Sequence, residues 1–225
     1  MHFIHALLLT TLVATPLVGM ANTCDTGRLQ SPINITASQK QKLPSLVFDY
    51  KKTPLVLAND GHTLRIRINN HSQLKVGKQI YALSQVHFHT PAGDQIAGEV
   101  FPMGAHFLHK STNGQLLALV VLFRLGEPNK TINTLLANIP KQVGPNQAIE
   151  NTSIDIYGLL PTDKAYYRYM GSLTASPCTE GVEWVVLKQA LTVSPAQLAR
   201  YRQRYADNAR AVQPVHGRLV RESTE

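Results

Sequence analysis

Strands dominate the fold this sequence predicts, and helices are peripheral. His62, Leu64, Ile66 and Ile68 alternate with Thr63, Arg65, Arg67 and Asn69, the period of a strand with one face in the core. Residues 115–125, QLLALVVLFRL, are almost continuously apolar, as a strand buried on both faces would be. Only two short stretches carry a helical repeat. One is 131–139, with Ile132, Leu135, Leu136 and Ile139 on one face and Pro140 ending it. The other starts at Ser194, with Pro195 at the first helical position and Gln197 completing a capping box.

In chain order, the apolar stretch from Leu7 to Val18 is too short to span a bilayer comfortably. Small residues, Gly19 and Ala21, precede a cleavage point, so 1–21 is expected to be a secretory signal peptide. Its amino end carries His2 and His5 but no Lys or Arg. No other segment is long and apolar enough to cross a membrane. The rest, 22–225, shows no internal repeat or linker and fits one domain with a single core. Its two cysteines, Cys24 and Cys178, are expected to pair in a periplasmic or secreted protein. Closing so long a loop stabilises by roughly 4–5 kcal/mol in the chain-entropy model.

Strand-like runs follow at 45–50, 55–58, 62–69, 74–76 and 80–89, with turn residues Asn59, Asp60 and Gly61 before the third. A further run at 103–109 joins 115–125 through the hairpin residues Thr112 to Gly114. Between the helices, strands are expected around 167–169 and 182–187.

The stretch 85–110, QVHFHTPAGDQIAGEVFPMGAHFLHK, concentrates the chemistry. His87 and His89 leave one face of their strand together, because side chains at i and i+2 do so. A His-x-His pair is more often surface or hydrogen-bonded than metal-bound. Pairing with the 103–109 run brings a third imidazole, from His106 or from His109. Those two face opposite ways, so only register decides between them. Three neutral imidazoles around one cation, with a fourth position for water, is the layout of a catalytic zinc site.

The net charge of +8 comes from scattered Lys and Arg. The densest patch is Arg200, Arg202, Arg204 and Arg210, partly on the second helix, whose apolar face is made by Leu198, Tyr201 and Tyr205. No nucleic-acid partner is expected; a solvated basic surface explains the charge.

Seven dispersed pieces resemble one family, the α-class carbonic anhydrases, in its secreted bacterial type. They are QSPINI (30–35), NDGH (59–62), QVHFH (85–89), GAHFLHK (104–110), YYRYMGSLT (166–174), CTEGVEW (178–184) and QP-x-x-G-R (213–218). The resemblance implies a large, twisted, mainly antiparallel central sheet with small peripheral helices, and a conical site with zinc at its base. It implies His87, His89 and His106 as zinc ligands, Gln85 behind the first, and the Asn208 backbone carbonyl behind the second. The implied reaction is reversible hydration of CO2 to bicarbonate and a proton. In carbonic anhydrase itself, zinc lowers the pKa of bound water to about 7. Thr174 matches the threonine that orients the nucleophile, and His62 the histidine that passes the proton to buffer. Leu108, Leu119, Leu173, Val182 and Trp184 match the apolar wall that receives CO2. Cys24 and Cys178 match the family's disulfide. The expected partner is the small-molecule substrate alone; the sequence leaves a homodimer open.

The chain departs from that pattern where polar groups surround the metal. The family's HTPSEH is HTPAGD here (89–94), so the glutamate that accepts from the threonine hydroxyl is Gly93, with Asp94 one residue on. Gly104 stands where a glutamate accepts from the third histidine. Ala175 replaces a common second threonine, and the aromatic-rich segment before QSPINI is absent. Two functions fit: a carbonic anhydrase of reduced activity, or a zinc-holding binding module with little or none.

Overall fold

One large sheet organises the residues the structure describes, 23–224 of a computed structural model. The leader expected at 1–21 lies outside them. The first nine strands are β1 (Asn34–Ile35), β2 (Gln39–Gln41), β3 (Leu46–Asp49), β4 (Thr53–Asn59), β5 (Leu64–Arg67), β6 (Gln73–Val76), β7 (Gln79–His89), β8 (Gln95–Ile96) and β9 (Glu99–Val100). The rest are β10 (Met103–Ser111), β11 (Leu116–Leu125), β12 (Gly144–Ile154), β13 (Tyr166–Ser172), β14 (Glu180–Leu187), β15 (Leu191–Val193) and β16 (Arg221–Ser223). Across the sheet the order is β12-β4-β5-β7-β10-β11-β14-β13-β16-β2.

The expected architecture is present. Most neighbours are antiparallel, while β11 runs parallel to β14 and β15, and β16 parallel to β2. The alternating strands bury one face: in β5, Leu64 and Ile66 are inside and Arg65 and Arg67 outside. The continuously apolar β11 lies mid-sheet and feeds two cores. Leu117, Leu119, Val121 and Phe123 join the larger one, and Ala118, Val120 and Leu122 the smaller one, with Trp184 and Ile33. The hairpin from β10 to β11 turns at Gly114, whose φ of 88° suits glycine.

Both helices sit outside the sheet, and the second starts where its capping residues predict. In α1 (Lys130–Ala137) Asn129 Oδ1 accepts from the amides of Thr131 and Ile132, while Ile132, Leu135 and Leu136 are buried. In α2 (Pro195–Tyr205) Ser194 and Gln197 form the full capping box. Gln197 then reaches across to Asn129 O (2.7 Å), tying the two helix starts together. Strand β12 had no counterpart in the sequence reading. Its side chains are almost all exposed at the sheet edge, and irregularities interrupt its pairing with β4, so no period-two pattern marks it.

Candidate metal centre

Register resolves the third imidazole. Strands β7 and β10 pair antiparallel with His106 directly opposite His87 and Gly104 opposite His89. Directly opposed residues share a face, so His87, His89 and His106 project together, with ring centroids 4.7 to 5.3 Å apart. One ligating nitrogen from each lies within 4.8 Å of the others. His109 points into the larger core on the other side. Its Nδ1 meets Phe107 O at 3.0 Å and its Nε2 meets Tyr50 OH at 2.8 Å.

The donor set fits zinc. Burial holds His87 and His106 well below the ordinary imidazole pKa and His89 down to about 4, so all three are neutral at physiological pH. His89 Nδ1 donates to Asn208 O at 3.0 Å, which leaves the lone pair on Nε2. That Nε2 is buried and has no hydrogen-bond partner among the described residues, an arrangement that costs stability unless a cation takes the lone pair.

The other two supports differ from what the resemblance implies. Gln85 lines the same cavity, yet His87 Nδ1 is buried without a hydrogen-bond partner. His106 Nε2 is likewise unpartnered. A Cβ on Gly104 would lie 3.8 Å from it, but glycine offers no acceptor there. Asp94 does not stand in for the carboxylate missing at Gly93. Its Oδ1 accepts from Tyr169 OH (2.7 Å) and Ile33 N (3.2 Å), and neither bond reaches Thr174.

Above the triad opens a cavity of about 490 Å³. Leu108, Ala118, Leu173, Val182 and Trp184 form its apolar side, and His62, Thr63, Arg65, Gln85 and Asn208 line it elsewhere. Leu119, expected on this wall, instead faces the larger core. Leu108 opposes Ala118 and His106 opposes Val120, so even-numbered β11 residues share the site face and Leu119 cannot. Once His106 is a ligand, that parity follows from sequence, and it would have found Ala118. Arg65 lines the cavity from β5, and its Nη2 pairs with Asp60 Oδ2 at 2.5 Å.

Thr174 is half-buried in the same cavity, just beyond β13. Ser31 and Ser172 exchange hydrogen bonds, Ser31 N to Ser172 Oγ at 3.0 Å and Ser172 N to Ser31 Oγ at 3.2 Å. Leu173 N donates to Thr179 O and Cys178 N to Ala175 O. Cys24 and Cys178 are disulfide-bonded, tying the amino-terminal segment to this loop. His62 is exposed at the rim, its ring centroid 6.4 Å from that of His89.

Comparison with known proteins agrees with this geometry. The family model for eukaryotic-type carbonic anhydrase matches residues 19–224. A carbonic anhydrase of Neisseria gonorrhoeae is 39% identical over 199 residues, covering 88% of this chain and 78% of the relative. The Photobacterium profundum α-carbonic anhydrase superposes with a TM-score of 0.83 at 37% identity, over 88% of this chain and 91% of that one. Dioscorin, solved with ascorbate, superposes with a TM-score of 0.80 at 31% identity, over 89% and 87%. By sequence and by fold, this chain belongs to the eukaryotic-type carbonic anhydrase family.

Proposed function

We propose that this protein catalyses the reversible hydration of CO2 to bicarbonate and a proton, with zinc held by His87, His89 and His106. The observation that carries this reading is the convergence of three neutral imidazoles, with a buried, unpartnered His89 Nε2 among them. Bound zinc supplies a Lewis acid that makes water nucleophilic at neutral pH.

The protein's own residues do the rest. Leu108, Ala118, Leu173, Val182 and Trp184 offer an apolar wall to a substrate without charge or dipole. Thr174 presents its hydroxyl at the cavity and orients the nucleophile, without a carboxylate to fix the direction of its proton. His62, between the triad and solvent, takes the released proton to buffer. The Asn208 carbonyl fixes the tautomer and direction of His89. The same reading takes 22–225 as one domain, secreted or periplasmic, supported by the Cys24–Cys178 bridge and the apolar leader. No helix among the described residues is long and apolar enough to cross a membrane.

A second reading, a zinc-holding module with little activity, draws support from the unpartnered His106 Nε2 and the lone Thr174. Dioscorin with ascorbate shows a similar fold holding another ligand. Stopped-flow CO2 hydration on the mature protein, with zinc quantified on the same sample, separates the two. Stoichiometric zinc and a sulfonamide-sensitive rate above buffer are expected. Stoichiometric zinc with no such rate leaves the binding module.

A further inference from the structure

The Asn208 side chain does something its backbone carbonyl does not. We infer that its amide is a clasp that holds the His62 turn at a fixed distance from the metal-binding strand, and so sets the efficiency of proton transfer out of the site. The inference rests on the carbonic anhydrase reading and on His62 as its proton carrier.

Asn208 is 5% exposed and follows α2. Its backbone carbonyl accepts from His89 Nδ1. Its side chain is engaged elsewhere: Oδ1 accepts from Thr90 N at 2.8 Å, and Nδ2 donates to His62 O at 2.8 Å and to Phe88 O at 3.2 Å. Both N–H donors of the carboxamide are used, and its oxygen accepts one bond. The amide therefore touches both sides of His89, at Phe88 and Thr90, and the carbonyl of His62.

His62 needs such a hold. It lies outside any strand, in the turn between β4 and β5, and its ring is exposed. Among the described residues its backbone is held by side chains: Asp60 Oδ1 accepts from His62 N at 2.9 Å, and Asn208 Nδ2 donates to His62 O. The neighbouring Thr63 is secured separately, Oγ1 to Phe88 O at 2.6 Å. Removing the Asn208 amide therefore frees the carbonyl of His62 while leaving Thr63 docked. The position of a proton carrier matters because small misplacements of a reacting group cost large factors in rate.

The test is Asn208→Ala in the zinc-loaded mature protein. Alanine keeps the backbone carbonyl, so His89 keeps its acceptor. Expected are a fall in kcat of roughly 3–10-fold, kcat/KM within about twofold of wild type, and recovery of kcat on adding imidazole buffer. A readout independent of turnover is amide hydrogen exchange in the metal-free protein. It should rise at Gly61 and His62 and stay unchanged in β10 and β11. If Asn208→Ala does not fold, Asn208→Ser, which also removes the amide but leaves a smaller cavity and adds no charge, serves the same test. Parallel losses in kcat and kcat/KM, a kcat unmoved by the substitution, or unchanged exchange in the turn would each overturn the inference. A wild-type protein with full zinc and no CO2 hydration would instead overturn the reading beneath it.

Discussion

The Cβ that Gly104 lacks would stand 2.9 Å from the Cβ of Ala92, closer than carbon atoms pack. The two positions are fitted to each other: Ala92 closes the space behind His106 that a larger residue at 104 would need. The unpartnered His106 Nε2 is thus walled in rather than merely missing one acceptor. Gly104→Glu alone is expected to destabilise by about 1–3 kcal/mol through overpacking, with no gain in zinc affinity. Paired with Ala92→Gly, the carboxylate can reach the imidazole. Zinc affinity is then expected to rise by roughly 10–100-fold, the range seen for such partners in carbonic anhydrase and similar sites. Competition titration with a chelator and urea unfolding measure both. Equal affinity in the double variant and wild type would show that His106 gains nothing from an acceptor.

Gly93 is closed in the same way from another side. A Cβ there would lie 2.9 Å from Pro32 Cγ and 3.1 Å from Pro32 Cβ, and a proline ring has little freedom to move. Pro32 adjoins Ser31, which clamps Ser172 two residues before Thr174. Gly93→Glu is therefore expected to lower the thermal midpoint and to slow CO2 hydration rather than speed it. Differential scanning calorimetry and stopped flow on one preparation test this. A faster enzyme of unchanged stability would show that the segment yields and that a carboxylate at 93 helps Thr174.

The His87–His89 pair, the cap of the second helix and most strands were legible because local rules govern them. Alternation placed His87 with His89, and Ser194 with Gln197 announced a helix start. Register was not local: nothing in the 103–109 run by itself separates His106 from His109, and the choice came from family resemblance before pairing with β7 supplied the physical reason. Leu119 was misplaced for lack of that parity. β12 escaped because an exposed, irregularly paired edge strand leaves no hydrophobic signature. The closure at Gly93 and Gly104 was invisible because it depends on Pro32 and Ala92 meeting glycines across space.

His109 tests the register directly. Burial lowers its pKa to about 4, so it is neutral; its Nδ1 donates to Phe107 O and its Nε2 accepts from Tyr50 OH. His109→Ala leaves a cavity and a buried tyrosine hydroxyl without its acceptor. The expected cost is about 2–4 kcal/mol in urea unfolding, with zinc stoichiometry unchanged. His106→Ala should show the reverse emphasis, losing zinc. Lost zinc in the His109 variant alone would mean that the strands pair one residue out of the register described.

Asp94 gives the protein a pH dependence of its own. Burial raises its carboxyl to about 6 from 3.8, with the hydrogen bonds from Tyr169 and Ile33 opposing the shift. Its Oδ2 is buried and unpartnered. The folded protein therefore keeps a proton that the unfolded chain releases above pH 3.8. This contribution to stability is fully present below that pH and is lost as pH rises through about 6. The depressed histidines of the metal-free site work the other way, losing stability as pH falls, so the wild-type curve alone does not isolate Asp94. Asp94→Asn does. Its amide oxygen can accept the same two bonds, and nothing at the position titrates. Between about pH 4 and about pH 7, the stability difference should move in favour of the asparagine variant, by on the order of 1–3 kcal/mol. Urea unfolding of both proteins across that range, zinc-loaded, measures it. A difference that stays flat would mean Asp94 is ionised throughout, and that the space around Oδ2 is wetter than the packing implies.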